Sequence, residues 1–122
     1  MKRNLDIIRE ILLFCEQKNP NRVYTDELAD LLDVDFDTVS YHLQLLDDCG
    51  YIEADTTPAP NTMMPNFIIN RMTSWGHDYL DTVRDDDVYK ETKKKLGSKF
   101  ASMTLDVVKS VATDVIKGQL GI

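Results

Sequence analysis

Apolar residues recur at helical spacing through most of the chain, and the interruptions of that rhythm divide it into elements. Leu5, Ile8, Leu12 and Cys15, widened by Ile7, Ile11 and Phe14, predict a first helix to about Lys18. Asn4 is placed to cap it, and Asn19-Pro20-Asn21 ends it. That apolar face is wider than one neighbouring helix fills. A second helix is predicted from Thr25 as cap, with Asp26 and Glu27 at the positive end of its dipole and Leu28, Leu31 and Leu32 as its buried edge. The short link Asp33-Val34-Asp35 leads into a third helix, residues 36–48, capped by Asp35. Its Phe36, Val39, Leu43 and Leu46 share one face, and Gly50 stops it. Residues 51–56 and 66–72 carry the β-branched and aromatic side chains of strands, and the prolines at 58, 60 and 65 suit the loop between them. Two short helices joined by a tight turn and followed at once by a hairpin predict a winged helix-turn-helix. The fold class is mainly α with a small β hairpin. The helix-turn-helix spans 25–49 and the wing 51–72, within a domain of residues 1–84.

Thr73 is the predicted cap of a fourth helix ending near Arg84, and Asp85-Asp86-Asp87 either breaks that helix or caps a successor ending at Gly97. A last helix, from about Thr104 to Leu120, carries Leu105, Val108, Val111, Ala112, Val115 and Ile116 along one side. This helical extension, residues 85–122, exceeds what a minimal winged helix needs, and its stripe requires a partner. The expected partner is a second copy, which makes these six residues dimer-interface candidates in a homodimer. The alternative is that the helix folds back over its own winged helix.

The segment Val39-Ser40-Tyr41-His42-Leu43-Gln44-Leu45-Leu46-Asp47-Asp48-Cys49-Gly50-Tyr51-Ile52 resembles the recognition-helix region of ArsR-like and PadR-like winged-helix regulators. Together with the opening Met1-Lys2-Arg3-Asn4-Leu5-Asp6 and the stretch from Thr73 through Asp86, it makes nearly the whole chain similar to an uncharacterised winged-helix family carried by phages, prophages and mobile elements. The resemblance implies the fold, transfers little function and carries no catalytic residues. The cytoplasmic setting is expected instead from the two cysteines in apolar helical runs and from the lack of a membrane span or signal peptide. One departure is Tyr89, where the family pattern implies Trp.

Charge bears on what the third helix can do. The chain has 14 Lys+Arg against 21 Asp+Glu, a formal net charge of −7. Residues 1–57 hold five basic and 13 acidic side chains, residues 58–84 two of each, and residues 85–122 seven lysines and six acids. The acid therefore sits where a duplex's phosphates would lie, and phosphate neutralisation dominates DNA affinity. Thr38, Ser40, Tyr41 and Gln44 are candidate base readers, since Gln can pair bidentately with adenine. Arg71, Lys2 and Arg3 are candidate phosphate contacts. The third helix itself has no Lys or Arg and carries Asp37, Asp47 and Asp48, while the wing ends in Met63 and Met64, adaptable side chains suited to a protein surface. These five are the protein-contact candidates. Protein contact with an unnamed host or phage partner is the main expectation, and sequence-specific recognition of double-stranded DNA is the alternative.

The remaining chemistry is sparse. His42 and His77 lie at no ligand spacing from each other or from a cysteine, so no metal site is expected. His42 is expected to pack beside the turn. Cys15 and Cys49 sit in apolar helical runs and are read as small core residues of a reduced protein. No glycine-rich phosphate loop, nucleophile elbow or distinct carboxylate pair suggests an enzyme, a cofactor or a small-molecule substrate. No apolar run reaches the ~18 residues of a membrane span, and Asp6, Arg9 and Glu10 break the core that a signal peptide needs. Lys90, Lys93, Lys94, Lys95 and Lys99 form the one basic cluster, best explained by i,i+4 pairs such as Asp86 with Lys90.

Overall fold

A computed structural model describes residues 1–122, which form two compact units, Met1–His77 and Asp78–Ile122. The division falls inside a helix, a little before the expected junction at residue 84. The chain is mainly helical, with one small antiparallel sheet.

In the first unit, α1 (Leu5–Lys18) starts where Asn4 Oδ1 accepts from the backbone N–H groups of Asp6 (2.9 Å) and Ile7 (3.3 Å). It buries Leu5, Ile8, Ile11, Leu12 and Cys15. A two-residue strand, β1 (Val23–Tyr24), follows; it is too short to show as an alternating pattern and was not expected. It corrects the reading of Thr25. That residue is the first of α2 (Thr25–Leu32) and does not cap it: it is buried, and its hydroxyl accepts from Phe67 N–H (2.7 Å) and donates to Phe67 O (3.4 Å). Thr25 is thus a clasp between the helix and the sheet. The orphan N–H of Tyr24 instead donates to Glu27 Oε1 (3.4 Å).

Asp33 closes α2 in the left-handed region (φ 54°), a conformation its short polar side chain tolerates. Asp35 then caps α3 (Phe36–Asp48), accepting from the Thr38 N–H (3.3 Å) and hydroxyl (2.5 Å). Val39, Leu43 and Leu46 are fully buried, and Gly50, at φ 72°, ends the helix. Strands β2 (Ile52–Thr57) and β3 (Asn66–Met72) pair antiparallel with a bulge at Glu53/Ala54, and the sheet order is β1-β3-β2. Thr73 then joins three elements: its N–H donates to Tyr51 O (2.9 Å), its hydroxyl donates to Gly50 O, and the same oxygen accepts from Gly76 N–H (3.3 Å) at the start of α4 (Ser74–Val83).

In the second unit, Asp85 Oδ1 accepts from Val88 N–H (2.9 Å) and caps α5 (Asp86–Leu96), so the acidic triplet begins a new helix. A 3-10 turn (Gly97–Ser102) leads to α6 (Leu105–Leu120), capped by Thr104, which accepts from Val107 N–H (3.2 Å). Helix α5 packs on α6. Tyr89, at the position where Trp was implied, is buried and meets the Phe100 ring edge-on at 5.8 Å. Lys93 Nζ lies 5.1 Å from the Tyr89 ring centre and 5.2 Å from that of Phe100.

Candidate interaction face on α2, α3 and the β2–β3 loop

From Val23 to Asn70 the chain has no Lys or Arg, and it has ten carboxylates: Asp26, Glu27, Asp30, Asp33, Asp35, Asp37, Asp47, Asp48, Glu53 and Asp55. Two are ion-paired by residues from outside this stretch. Glu27 pairs with Lys18 on α1 (3.3 Å), and Glu53 receives Arg71 from β3 in a two-pronged contact of 2.8 and 2.9 Å. The other eight have no cationic partner. The Thr38 hydroxyl holds the Asp35 carboxyl below the usual carboxylate range. Arg71 does the same for Glu53 through its hydrogen bonds and then its charge, and the same hydrogen bonds, followed by the Glu53 charge, raise Arg71.

The candidate base readers are largely occupied. Ser40, expected to face outward, is fully buried, and its hydroxyl donates to Pro65 O (2.7 Å) in the β2–β3 loop. The Thr38 hydroxyl is spent on Asp35, and Gln44 Nε2 donates to Asp48 Oδ1 (3.1 Å). Tyr41 is half-buried and stands edge-on to His42, ring centres 5.3 Å apart. Among the phosphate candidates, Arg71 is locked on Glu53, Lys2 is exposed, and Arg3 is half-buried with its charge felt at His42.

His42 is fully buried. Its Nε2 accepts from Asn4 N–H (2.8 Å), which obliges Nδ1 to carry the proton donated to Thr38 O (2.7 Å). Burial first, and the Arg3 charge second, lower its pKa, so the ring is a neutral strut between α3 and the start of α1.

The β2–β3 loop is tied to α3. Thr62 donates to Asp37 Oδ1 (2.6 Å) and accepts from Met64 N–H (3.0 Å). Together with the Ser40–Pro65 bond, this lays the loop across the first half of α3. Met63 is left 99% exposed at the tip, while Met64 turns back and is half-buried. Asp47 and Asp48 are exposed. The sequence had not marked Thr62, Phe36 or Asn66 as functional. The available signal was that Asn61-Thr62 is the one polar pair in a loop of prolines and methionines.

Of the dimer-interface candidates, Leu105, Val108, Ala112 and Val115 are buried within the single chain, and Val111 and Ile116 are half-buried. Within the second unit α5 packs on α6, the helix that carries the stripe. The thiol of Cys15 is buried and pushed up to about 12, by burial first and then by the Glu27 charge; Cys49, expected in the core, is exposed. No three His, Cys, Asp or Glu side chains converge in a group that could hold a metal ion, and no helix is long and apolar enough to cross a membrane.

A family profile described as "Hypothetical protein (DUF2513)" matches residues 2–102. An uncharacterised protein of Haemophilus influenzae (strain ATCC 51907 / DSM 11121 / KW20 / Rd) is 39% identical over 123 residues, covering 98% of this chain and 99% of that protein. No solved structure matches.

Proposed function

The chain belongs to the DUF2513 family, and we propose that it is a non-enzymatic winged-helix regulatory module of mobile-element type that works by protein contact. Its acidic face, formed by α2, α3 and the β2–β3 loop, engages a basic surface on a host or phage protein in the cytoplasm. In this reading α2 and α3 are the helix-turn-helix and β2–β3 is the wing. The element order supports the winged-helix assignment: two helices, a three-residue link, and a hairpin directly after the second helix.

The observation that carries the reading is the set of eight carboxylates on residues 26–55 with no cationic partner inside the chain. Two like charges ~7 Å apart in water repel by about 0.6 kcal/mol before screening. Several such terms oppose a phosphate backbone, and the same terms favour lysines and arginines. Of the side chains that would read bases, Thr38, Ser40 and Gln44 are bonded within the chain, which reduces the usual compensation.

The second reading, duplex DNA recognition, is favoured by one feature: the N-terminal Lys2-Arg3 segment lies beside α3, as the Asn4–His42 bond requires. A gel shift at low salt with the DNA flanking the gene separates the two readings. A sequence-specific shift that weakens as salt rises rejects the protein-contact proposal. Absence of such a shift, with salt-sensitive retention of a basic protein such as a histone or a nucleoid protein, supports it.

Self-association through α6 belongs to the same proposal but has little surface left to use. Val107, Leu120 and Ile122 are 39%, 68% and 83% exposed, and a monomeric mass by light scattering at micromolar concentration removes it.

A further inference from the structure

Between the start of α2, the start of α3 and the underside of the β2–β3 loop lies a cleft of about 540 Å³. Its walls are Asp26, Phe36, Asp37 and Asn66, and its roof is Pro58 and Pro60. The cleft is built. The Thr62–Asp37 and Ser40–Pro65 bonds (2.6 and 2.7 Å) fix the loop over it, and the prolines stiffen the roof. Neither carboxylate has a cationic partner.

We propose that this cleft is a side-chain pocket for an arginine presented by an extended basic segment of the partner protein. The proposal rests on the protein-contact reading and gives that partner a specific anchor.

The electrostatic balance favours a cation. Helices α2 and α3 both begin at the cleft, and each helix start contributes about +0.5 charge, which alone would invite an anion. Asp26 and Asp37 contribute −2, and no Lys or Arg between residues 23 and 70 offsets them. The balance stays near −1, against a phosphate and for a guanidinium. The walls also discriminate between cations. A guanidinium is planar, weakly hydrated, able to stack on an aromatic ring and equipped with five donors for the two carboxylates. An ammonium is a compact, strongly hydrated charge that gains less from Phe36 and proline walls. The cleft is open to solvent and has room for one side chain and its flanking backbone.

The test uses the full chain, uniformly 15N-labelled, titrated with the acetylated, amidated peptide Gly-Arg-Gly-Arg-Gly and with its lysine and citrulline versions. The arginine peptide is expected to shift the amides of Asp26, Asp37, Asn61 and Asn66. The lysine peptide should bind several-fold more weakly, and citrulline should give no saturable shift. Asp37→Asn keeps the oxygen that accepts from Thr62 and should weaken the arginine peptide about tenfold, the loss of one charge-assisted contact. Asp26→Asn tests the opposite wall without touching the Thr62 bond, and unchanged thermal melts certify both folds. Shifts confined to Asp47, Asp48 and Asp55 overturn the pocket and leave the acidic-face reading standing. Shifts nowhere overturn both. Citrulline binding as well as arginine makes the cleft an apolar site and overturns the proposal.

Discussion

Gly76 is the position where the backbone packing of the first unit can be tested most sharply. A Cβ there would lie 2.3 Å from Tyr51 O and 2.7 Å from Met72 Cγ. The methionine can swing away. The carbonyl cannot, because it holds the Thr73 N–H at 2.9 Å, and Thr73 in turn joins Gly50 to the first turn of α4. Gly76→Ala therefore forces a backbone shift of nearly 1 Å at the junction of β2, β3 and α4. Overpacking of this kind costs about 1–3 kcal/mol, and a strained or lost backbone hydrogen bond adds about 1 kcal/mol. The gain in helix propensity from Gly to Ala offsets about 0.8–1 kcal/mol. The net expectation is a destabilisation of about 1–3 kcal/mol, or roughly 5–20 °C in melting temperature for a unit of this size. Gly118→Ala is the control of opposite sign. That glycine lies inside α6 with nothing within 4 Å of an added Cβ, so the same change should stabilise by up to about 1 kcal/mol. Circular-dichroism melts of both variants decide it. A Gly76→Ala protein as stable as the parent would refute the close approach of α4 to the Tyr51 carbonyl.

Three further outcomes are expected. Ser40→Ala leaves the Pro65 carbonyl without its donor and should lower stability by about 1–2 kcal/mol while loosening residues 57–65; hydrogen exchange of Met63 and Met64 no faster than in the parent would contradict the tie between loop and helix. The His42 pKa is lowered on folding, by burial first, so the native state prefers the neutral ring. Its stabilisation is complete above the unfolded value of about 6.5 and is lost as pH falls through the lower folded value. Urea midpoints should drop from pH 7.5 to pH 5.5, above the range in which Glu53 and Asp35 titrate, and His42→Gln should flatten that drop. For the thiols, a disulfide reagent should modify Cys49 quickly and Cys15 only on unfolding, since burial pushes the Cys15 thiol up to about 12; two equally fast thiols, or fast labelling that survives Cys49→Ser, would contradict the burial.

Helix starts were legible wherever a side-chain oxygen stands just before an apolar repeat. Asn4, Asp35, Asp85 and Thr104 all accept from the backbone N–H groups that the local pattern assigns to them. Thr25 fitted the same local pattern and went elsewhere, because Phe67, 42 residues on, takes its hydroxyl. Ser40 is the same case at the site. It lies next to Val39 at the margin of the buried face, and only the arrival of Pro65 decides that it points inward. Strand β1 has two residues and therefore no period to read. The α6 stripe announced that it would be covered, but periodicity does not distinguish a cover from the same chain from one supplied by another copy. What the sequence conceals in each instance is a contact between distant segments, and the candidate face is assembled from such contacts.

Those contacts bear on the proposed function in two ways. The bonds that withdraw Thr38 and Gln44 from base reading also hold Asp35 and Asp48 in place, and Thr62 does the same for Asp37. Carboxylates already fixed lose less side-chain entropy when a cationic surface docks, so the arrangement that weakens a duplex-reading role strengthens a protein-binding one. The placement of Asp47 and Asp48 adds an independent argument. Asp37 near the start of α3 favours the helix dipole, but Asp47 and Asp48 occupy its last turn, where no basic residue stands and negative charge is unfavourable by about 0.3–1 kcal/mol each. Within the chain the only offset is the Gln44 amide on Asp48. A local rule broken twice at one helix end, with a single amide as internal compensation, fits the proposed reading of a surface whose charge is satisfied from outside. Cations from a partner would supply that satisfaction, and the phosphates of a duplex would aggravate the strain.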